Sequence, residues 1–216
     1  LTEYHYNEKN LLSKTIFAKG KEEETCETYE YNKYGDLISV TDGEGNTQTY
    51  EYDKSGNKIS VTDANGNKTA YTYDQCGNLK TEANAVMLAE KKAITYNYDS
   101  NGRLVETISP FGNKTTFTYD FQGKLLTVTD PLNRKSKTVY DLRSNIIENI
   151  NNDDVAISTF SYDSNNNVIS RKNALEYEES YKYDKSDRLI SVVDAQGNET
   201  KYEYDKTGKL TETTDA

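Results

Sequence analysis

Residues 50–70 read YEYDKSGNKISVTDANGNKTA, and this stretch decides the fold of the 216-residue chain. It contains Asp-x-x-Gly twice, from Asp53 to Gly56 and from Asp63 to Gly66. An Asp at the first position of a type I turn accepts hydrogen bonds from the backbone that follows it. The Gly then adopts the left-handed conformation that the turn and its bulge require. The residues between the turns are rich in Tyr, Thr, Val and Ile, so the stretch predicts short strands joined by tight turns.

The same pattern recurs along the chain with a period near 21 residues. The motif is Tyr-Asp or Tyr-Asn, and its tyrosines are Tyr6, Tyr31, Tyr52, Tyr73, Tyr98, Tyr119, Tyr140, Tyr162, Tyr183 and Tyr204. A fixed period is the signature of a repeat architecture. We therefore expect residues 1–216 to form a single array of about ten repeats, incomplete at both ends. Insertions lengthen the array near residues 13–28 and 84–93.

The strands of each repeat carry an alternating pattern. In Tyr-x-Tyr both rings point to one face of the strand, because side chains alternate across a strand. An aliphatic residue usually stands six residues after the second Tyr, and we expect it to lie opposite or beside that ring. These residues are Leu37, Leu79, Leu104, Leu125, Ile146, Val168, Leu189 and Leu210. Lys58 takes this position in one repeat and is expected to weaken the contact there.

The predicted fold is all-β, an antiparallel meander of β-hairpins with about twenty strands. Because strands twist relative to their neighbours, we expect a curved or spiralling single-layer strip. The composition fits a thin sheet: only 34% of residues are hydrophobic, and the mean hydropathy is −0.93. Disorder is disfavoured by 19 Tyr and 5 Phe, since disordered chains contain few aromatic residues.

Charge and termini limit the classes of function. The net charge of −10 disfavours nucleic acid, and no apolar run is long enough to insert into a membrane. The N-terminus lacks the order of a secretion signal and begins directly in repeat material, so we expect a piece of a longer protein. The two cysteines are two repeats apart: Cys26 lies just before a Tyr-x-Tyr strand, and Cys76 lies in a turn. Both are expected to be unpaired, because a disulfide requires closer Cα atoms.

No residues are predicted to form a catalytic, cofactor-binding or metal site. His5 is the only histidine and lies near the N-terminus, so we expect neither a His-dependent triad nor a multi-His metal site. The two cysteines lack zinc-ligand spacing, and the glycines mark turns rather than a phosphate loop. Calcium at the Asp-x-x-Gly-Asn turns is left open, although capping of each turn by its own Asp is favoured. We expect a protein that is not an enzyme and needs no cofactor.

The pattern Tyr-x-Tyr-Asp-x-x-Gly-x-Leu, followed by Thr-Asp-x-x-Gly-Asn, resembles the YD repeat, also called the RHS repeat. The best matches span residues 29–46, 50–67 and 181–198. The family occurs in bacterial polymorphic toxins, insecticidal toxin complexes, wall-associated proteins and animal teneurins. Its repeats can form a β-strip that spirals into a hollow shell around a C-terminal toxic domain. The family's Asp-Pro-x-Gly self-cleavage motif is not carried over, because Asp130-Pro131-Leu132-Asn133 lacks the Gly.

The resemblance implies a non-catalytic scaffold segment of a secreted or surface-displayed bacterial protein. Its expected partners are neighbouring repeats and its own C-terminal toxin or effector domain. The alternative is an adhesive module that binds a cell-surface carbohydrate or a protein. Exposed tyrosine rows could stack against sugar rings, whereas tyrosines packed against the aliphatic row would be structural.

Overall fold

A computed structural model describes residues 1–215, and its secondary structure is almost entirely β. It has twenty strands and one short helix in the described part of the chain. The first ten strands are β1 Glu3–Tyr6, β2 Leu12–Phe17, β3 Thr25–Tyr31, β4 Leu37–Thr41, β5 Thr47–Tyr52, β6 Lys58–Thr62, β7 Lys68–Tyr73, β8 Leu79–Ala83, β9 Ile94–Tyr98 and β10 Leu104–Ile108. The helix α1, Ala85–Ala89, lies between β8 and β9. The others are β11 Lys114–Tyr119, β12 Leu125–Thr129, β13 Lys135–Tyr140, β14 Ile146–Ile150, β15 Ala156–Tyr162, β16 Val168–Asn173, β17 Glu178–Tyr183, β18 Leu189–Val193, β19 Glu199–Tyr204 and β20 Leu210–Thr214.

The chain divides into two compact units, Leu1–Lys114 and Thr115–Ala216. In the first unit each strand pairs antiparallel with the strand that follows it, from β1–β2 through β9–β10. The second unit repeats this order up to β19–β20. The all-β antiparallel meander is thus confirmed. That the chain is one array of repeats stays a prediction.

The register within each hairpin confirms the expected tyrosine–aliphatic pairs. The second Tyr lies opposite the residue six positions later, in Tyr31–Leu37, Tyr73–Leu79, Tyr98–Leu104, Tyr119–Leu125, Tyr140–Ile146, Tyr162–Val168, Tyr183–Leu189 and Tyr204–Leu210. Tyr52 faces Lys58 in the same way. The register shifts next to this pair in every case, because the turn residue in the left-handed region places a bulge there.

The sheet buries little of its surface. The chain exposes 14816 Å². A globular monomer of the same mass would expose about 10,000 Å², and two separate globular domains of half the mass about 12,000 Å². The buried apolar residues of the described chain are Ile16 and Ala83, whereas Thr15, Ser60, Thr127 and Ser191 are buried polar residues. Stability therefore comes from neighbour-to-neighbour contacts along the sheet rather than from a central core.

The two insertions take different forms. Near residue 84 the chain forms α1, whose N-cap Asn84 accepts a 3.0 Å hydrogen bond from the backbone of Met87. A helix of this length cannot cross a bilayer, and the described residues contain no helix that is long and apolar enough to do so. The earlier insertion lengthens the connection between β2 and β3. It extends β3 backwards, so Cys26 lies inside the strand opposite Ile16 rather than before it. Both cysteines are free.

Gly43 lets the turn after β4 approach the extended start of β3. A Cβ at this position would lie 1.9 Å from Oγ1 of Thr25 and 3.2 Å from the backbone nitrogen of Cys26. Ala64 and Ala195 occupy the same turn position in other repeats, so the turn itself accepts alanine. The requirement for glycine therefore arises from the contact with β3.

We expect Gly43→Ala to lower the free energy of unfolding by about 1–3 kcal/mol, because the added methyl group overpacks this contact. Urea unfolding followed by circular dichroism measures the change. Ala64→Gly is the matched control, and its effect should stay below about 1 kcal/mol. A Gly43→Ala protein as stable as the parent would show that the turn and β3 move apart freely.

Candidate functional site

The contact between successive repeats has a distinctive geometry. Strands β6 and β7 pair only from Thr62–Lys68 to Ser60–Ala70, and they separate beyond that point. Lys58, at the start of β6, therefore leaves its carbonyl beyond the paired region. The hydroxyl of Tyr73 on β7 donates a 2.8 Å hydrogen bond to this carbonyl. The tyrosine thus replaces a ladder bond that the separated backbones do not make.

This inter-repeat tyrosine bond recurs at 2.7–3.0 Å in both units. In each case the Tyr of the Tyr-Asp or Tyr-Asn motif binds the carbonyl of the first strand residue after the preceding such turn. The pairs are Tyr31–Leu12, Tyr52–Leu37, Tyr73–Lys58, Tyr140–Leu125, Tyr162–Ile146 and Tyr204–Leu189. One side chain therefore joins its own hairpin, through the pair with the aliphatic residue, to the hairpin before it.

The surroundings of Tyr52 and Tyr73 favour the protonated form of the hydroxyl. Burial raises the pKa of Tyr73, and the negative charge of Asp53 in the preceding turn adds to the effect. Burial likewise raises the pKa of Tyr52, with a further contribution from Asp36. The hydroxyl is therefore a donor across the neutral pH range.

Lys58 replaces the aliphatic residue of one repeat. Its ammonium nitrogen lies 5.8 Å from the ring centroid of Tyr50 and 5.8 Å from that of Tyr71. These rings belong to adjacent repeats, so the cation contacts the aromatic row on both sides. A cation–π contribution of about 0.5–1 kcal/mol offsets part of the lost aliphatic packing.

The turns are capped by their own first residue, as the sequence predicts. Oδ1 of Asp63 accepts hydrogen bonds from the backbone nitrogens of Asn65, at 2.9 Å, and Asn67, at 2.8 Å. Its Oδ2 accepts a 2.9 Å bond from the side chain of Asn67. Asp42, Asp53, Asp74 and Asp194 make the same set of bonds. Both carboxylate oxygens are thus used inside the turn.

The fourth turn position keeps the left-handed conformation where glycine is absent. Its φ is +76° at Ser144, +69° at Asn166 and +59° at Asp187. Asn and Asp enter this region more easily than Ser. The turn shape is therefore retained in all three repeats.

The face of the sheet opposite the rings of Tyr50 and Tyr52 carries short series of hydrogen-bonded polar side chains. Oε2 of Glu51 accepts hydrogen bonds from Ser60 at 2.5 Å and Lys68 at 2.7 Å. Lys68, then Ser60, lowers the pKa of the Glu51 carboxyl. Ser60 is only 2% exposed and lies opposite Glu51 of β5 on one side and Ala70 of β7 on the other. Every buried side-chain N or O atom within residues 1–215 has a hydrogen-bond partner.

The polar groups that the sequence singled out do not converge. His5 lies in β1 with its Nε2 2.9 Å from Oε1 of Glu3, and both side chains are partly exposed. No three His, Cys, Asp or Glu side chains among residues 1–215 gather closely enough to hold a metal ion. The hydrogen bonds of this region join neighbouring hairpins. The sequence predicted the ring–aliphatic pairs but not the hydroxyl–carbonyl bonds.

Comparison with known families gives this repeat its identity. The family described as teneurin YD-shell matches residues 71–216, and the RHS repeat matches residues 31–68 and 52–85. The chain belongs to the teneurin YD-shell family. Its periodic tyrosines are therefore the YD motif of a shell-forming repeat, and the RHS match extends the assignment into the N-terminal half.

Solved structures share the fold of this YD-shell chain. The crystal structure of TcdB2-TccC3-TEV aligns with a TM-score of 0.54 and 14% identity, covering 99% of this chain and 16% of that one. TcdB2-TccC3-Cdc42 aligns with a TM-score of 0.50 and 14% identity, covering 99% and 15%. The YD-shell chain thus spans about a sixth of the length of these structures. No curated protein matches its sequence.

The capped turns predict a response to acid. The side-chain amide of the Asn four residues later is the largest cause that lowers the pKa of Asp42, Asp53, Asp63, Asp74, Asp163 and Asp194. A carboxyl whose pKa is lower in the folded state stabilises the fold above its unfolded pKa, near 3.9, and loses that contribution as the pH falls further.

We therefore expect the midpoint of thermal unfolding to be nearly constant from pH 7 to about 5 and to fall steeply below about 4. Differential scanning calorimetry across this range measures it. Replacing Asp42, Asp53 and Asp63 together by Asn should flatten the acid side of the curve. A parent protein whose midpoint is unchanged at pH 3 would contradict the role of the ionised caps.

Proposed function

We propose that the chain is a wall segment of a secreted or surface-displayed bacterial shell, which encloses or presents a C-terminal toxin or effector. The observation that carries the proposal is the inter-repeat tyrosine bond. It uses the most regular side chain of the repeat to join one hairpin to the next, as a continuous wall requires. Membership of the YD-shell family supports the same role.

A structural, non-enzymatic segment is the role that membership of a shell family supports. The hydroxyls of Tyr52, Tyr73 and Tyr204, which belong to the tyrosine row of the adhesive alternative, donate instead to backbone carbonyls. A carbohydrate-binding surface on an adhesin would need those hydroxyls to be free to bind the sugar. The geometry therefore favours the shell over the carbohydrate-binding module.

Protection from protease in the full-length protein tests the proposal. We expect a non-repeat segment of that full-length protein to resist trypsin until urea unfolds the repeats. The same segment should be digested rapidly when it is expressed alone. Equal digestion rates in the two contexts would overturn enclosure. Specific binding to a glycan array would instead support the adhesive alternative.

A further inference from the structure

Consecutive hairpins of the second unit separate before they reach their YD turns, the turns that follow the Tyr-Asp motifs. Strands β14 and β15 pair as far as Glu148–Thr159, and β16 and β17 pair as far as Ser170–Ser180. The ladder between hairpins therefore stops short of the turns. A crevice of about 600 Å³ lies beside the first two of these turns, 141–145 and 163–167. Contacts between neighbouring YD turns thus depend on side chains.

Two side chains join the turn 141–145 to the turn 163–167. Nδ2 of Asn145 donates a 3.0 Å hydrogen bond to Oδ1 of Asn166. Nη1 of Arg143 donates a 2.8 Å hydrogen bond to the carbonyl of Ser164. Both bonds connect residues that lie 21 positions apart in the sequence, one repeat from each other.

The next two turns are joined in the same manner. Nδ2 of Asn165 and Nδ2 of Asn167 both donate 2.8 Å hydrogen bonds to Oδ1 of Asp187. Nη1 of Arg188 then donates a 3.3 Å hydrogen bond to the carbonyl of Asp205 in the turn that follows. Side-chain hydrogen bonds therefore connect four successive YD turns in series.

The side chains that accept the amide bonds are residues that replace glycine. Asn166 and Asp187 occupy the fourth turn position, with φ of +69° and +59°. Ser144 occupies this position in the preceding turn, with φ of +76°, and accepts none of these bonds. In the first unit Gly56 and Gly77 occupy it, and no hydrogen bond or ion pair joins their two turns in the described part of the chain. The amide bonds between turns thus accompany the replacement of glycine by Asn or Asp.

The left-handed conformation is less favourable for Asn or Asp than for Gly, so the turn alone gives no reason for either residue. What they add is an oxygen atom that the neighbouring turn can bind. We propose that Asn166 and Asp187 form a strap, a pair of side chains that holds three consecutive YD turns at a fixed spacing. The strap keeps the separated ends of these hairpins from moving apart. The proposal concerns the fold of this chain and does not depend on what a shell encloses.

Hydrogen exchange of backbone amides in the 216-residue protein, followed by NMR, tests the strap because it reports local opening. Asp187→Gly introduces the residue that Gly208 supplies in the next turn, so the fold should be kept, and circular dichroism verifies this. The readout is the neighbouring turn 163–167, which is unaltered in sequence but loses both bonds to Asp187. We expect its amides to exchange about fivefold faster, a factor typical of the loss of hydrogen bonds of ordinary net strength.

Three further variants separate the strap from other effects. Asn166→Gly should accelerate exchange in the turn 141–145, because Asn145 loses its acceptor. Asp187→Asn keeps an oxygen acceptor without the charge and should leave exchange in the turn 163–167 close to that of the parent. Ser144→Gly is the matched control, because it also removes a left-handed residue that is not glycine but removes no acceptor. Exchange in the turn 163–167 should not change in this variant.

Equal exchange rates in the turn 163–167 of the parent and of Asp187→Gly would overturn the proposal. Acceleration as large in Ser144→Gly, or in Asp187→Asn, would also overturn it, because the acceptor oxygen would then not be the cause. A uniform acceleration across the second unit would likewise contradict it, since that result would indicate a general loss of stability rather than release of neighbouring turns.

Discussion

Replacing Tyr52 by alanine is expected to lower the free energy of unfolding by about 2–3 kcal/mol, somewhat less than for a fully buried ring. The substitution removes the ring that faces Lys58 within its hairpin and the hydroxyl that binds Leu37 of the preceding repeat. Tyr52→Phe keeps the ring and removes only the hydrogen bond, so it should cost about 1 kcal/mol. The difference between the two variants separates packing from the inter-repeat bond.

Urea unfolding at pH 7 measures both values. The matched control is Tyr34→Ala, because the ring of Tyr34 lies in a turn and is 79% exposed. Its effect should stay within about 0.5 kcal/mol. If Tyr52→Phe proved as stable as the parent protein, the hydroxyl–carbonyl bond would contribute nothing to the coupling of repeats.

Replacing Asp63 by alanine should lower the midpoint of thermal unfolding by roughly 2–4 °C, a size typical of a lost cap in a chain of this length. Two backbone N–H groups lose their acceptor in this variant, at Asn65 and Asn67. Asp63→Asn keeps an oxygen acceptor for these two N–H groups but loses Oδ2 and the charge, so it should lower the midpoint less than Asp63→Ala at neutral pH. Asn151 supports this expectation, because its Oδ1 accepts the corresponding bonds from Asp153 and Val155 at 3.0 Å.

Calorimetry of the two variants at pH 7 checks the role of the cap. Equal losses in Asp63→Ala and Asp63→Asn would show that the charge matters rather than the oxygen acceptor. An unchanged midpoint in Asp63→Ala would show that the glycine conformation alone defines the turn.

Local rules were sufficient to predict the hairpins from the sequence. Asp53 and Gly56 specify a turn by themselves, and the turn then determines which residue faces Tyr52. Strand content, register and free cysteines followed from this spacing. The local pattern also identified the resemblance, because every repeat carries the same residues at the same distances.

Contacts between repeats were not predictable in the same way. The bond from Tyr73 to Lys58 depends on where β6 and β7 separate, and the residues themselves do not encode that point. The close approach of Gly43 to Thr25 depends on the path of the insertion before β3.

The central claim is that each hairpin is stabilised mainly by its neighbours. Urea unfolding of a truncation series, followed by circular dichroism, tests it most directly. Chains ending at residue 195, without β19 and β20, and at residue 174, without β17–β20, should keep the β-sheet signal of their remaining strands. Their free energies of unfolding should fall stepwise with each hairpin removed. Loss of the β-sheet signal throughout the chain after removal of the last hairpin alone would contradict the claim.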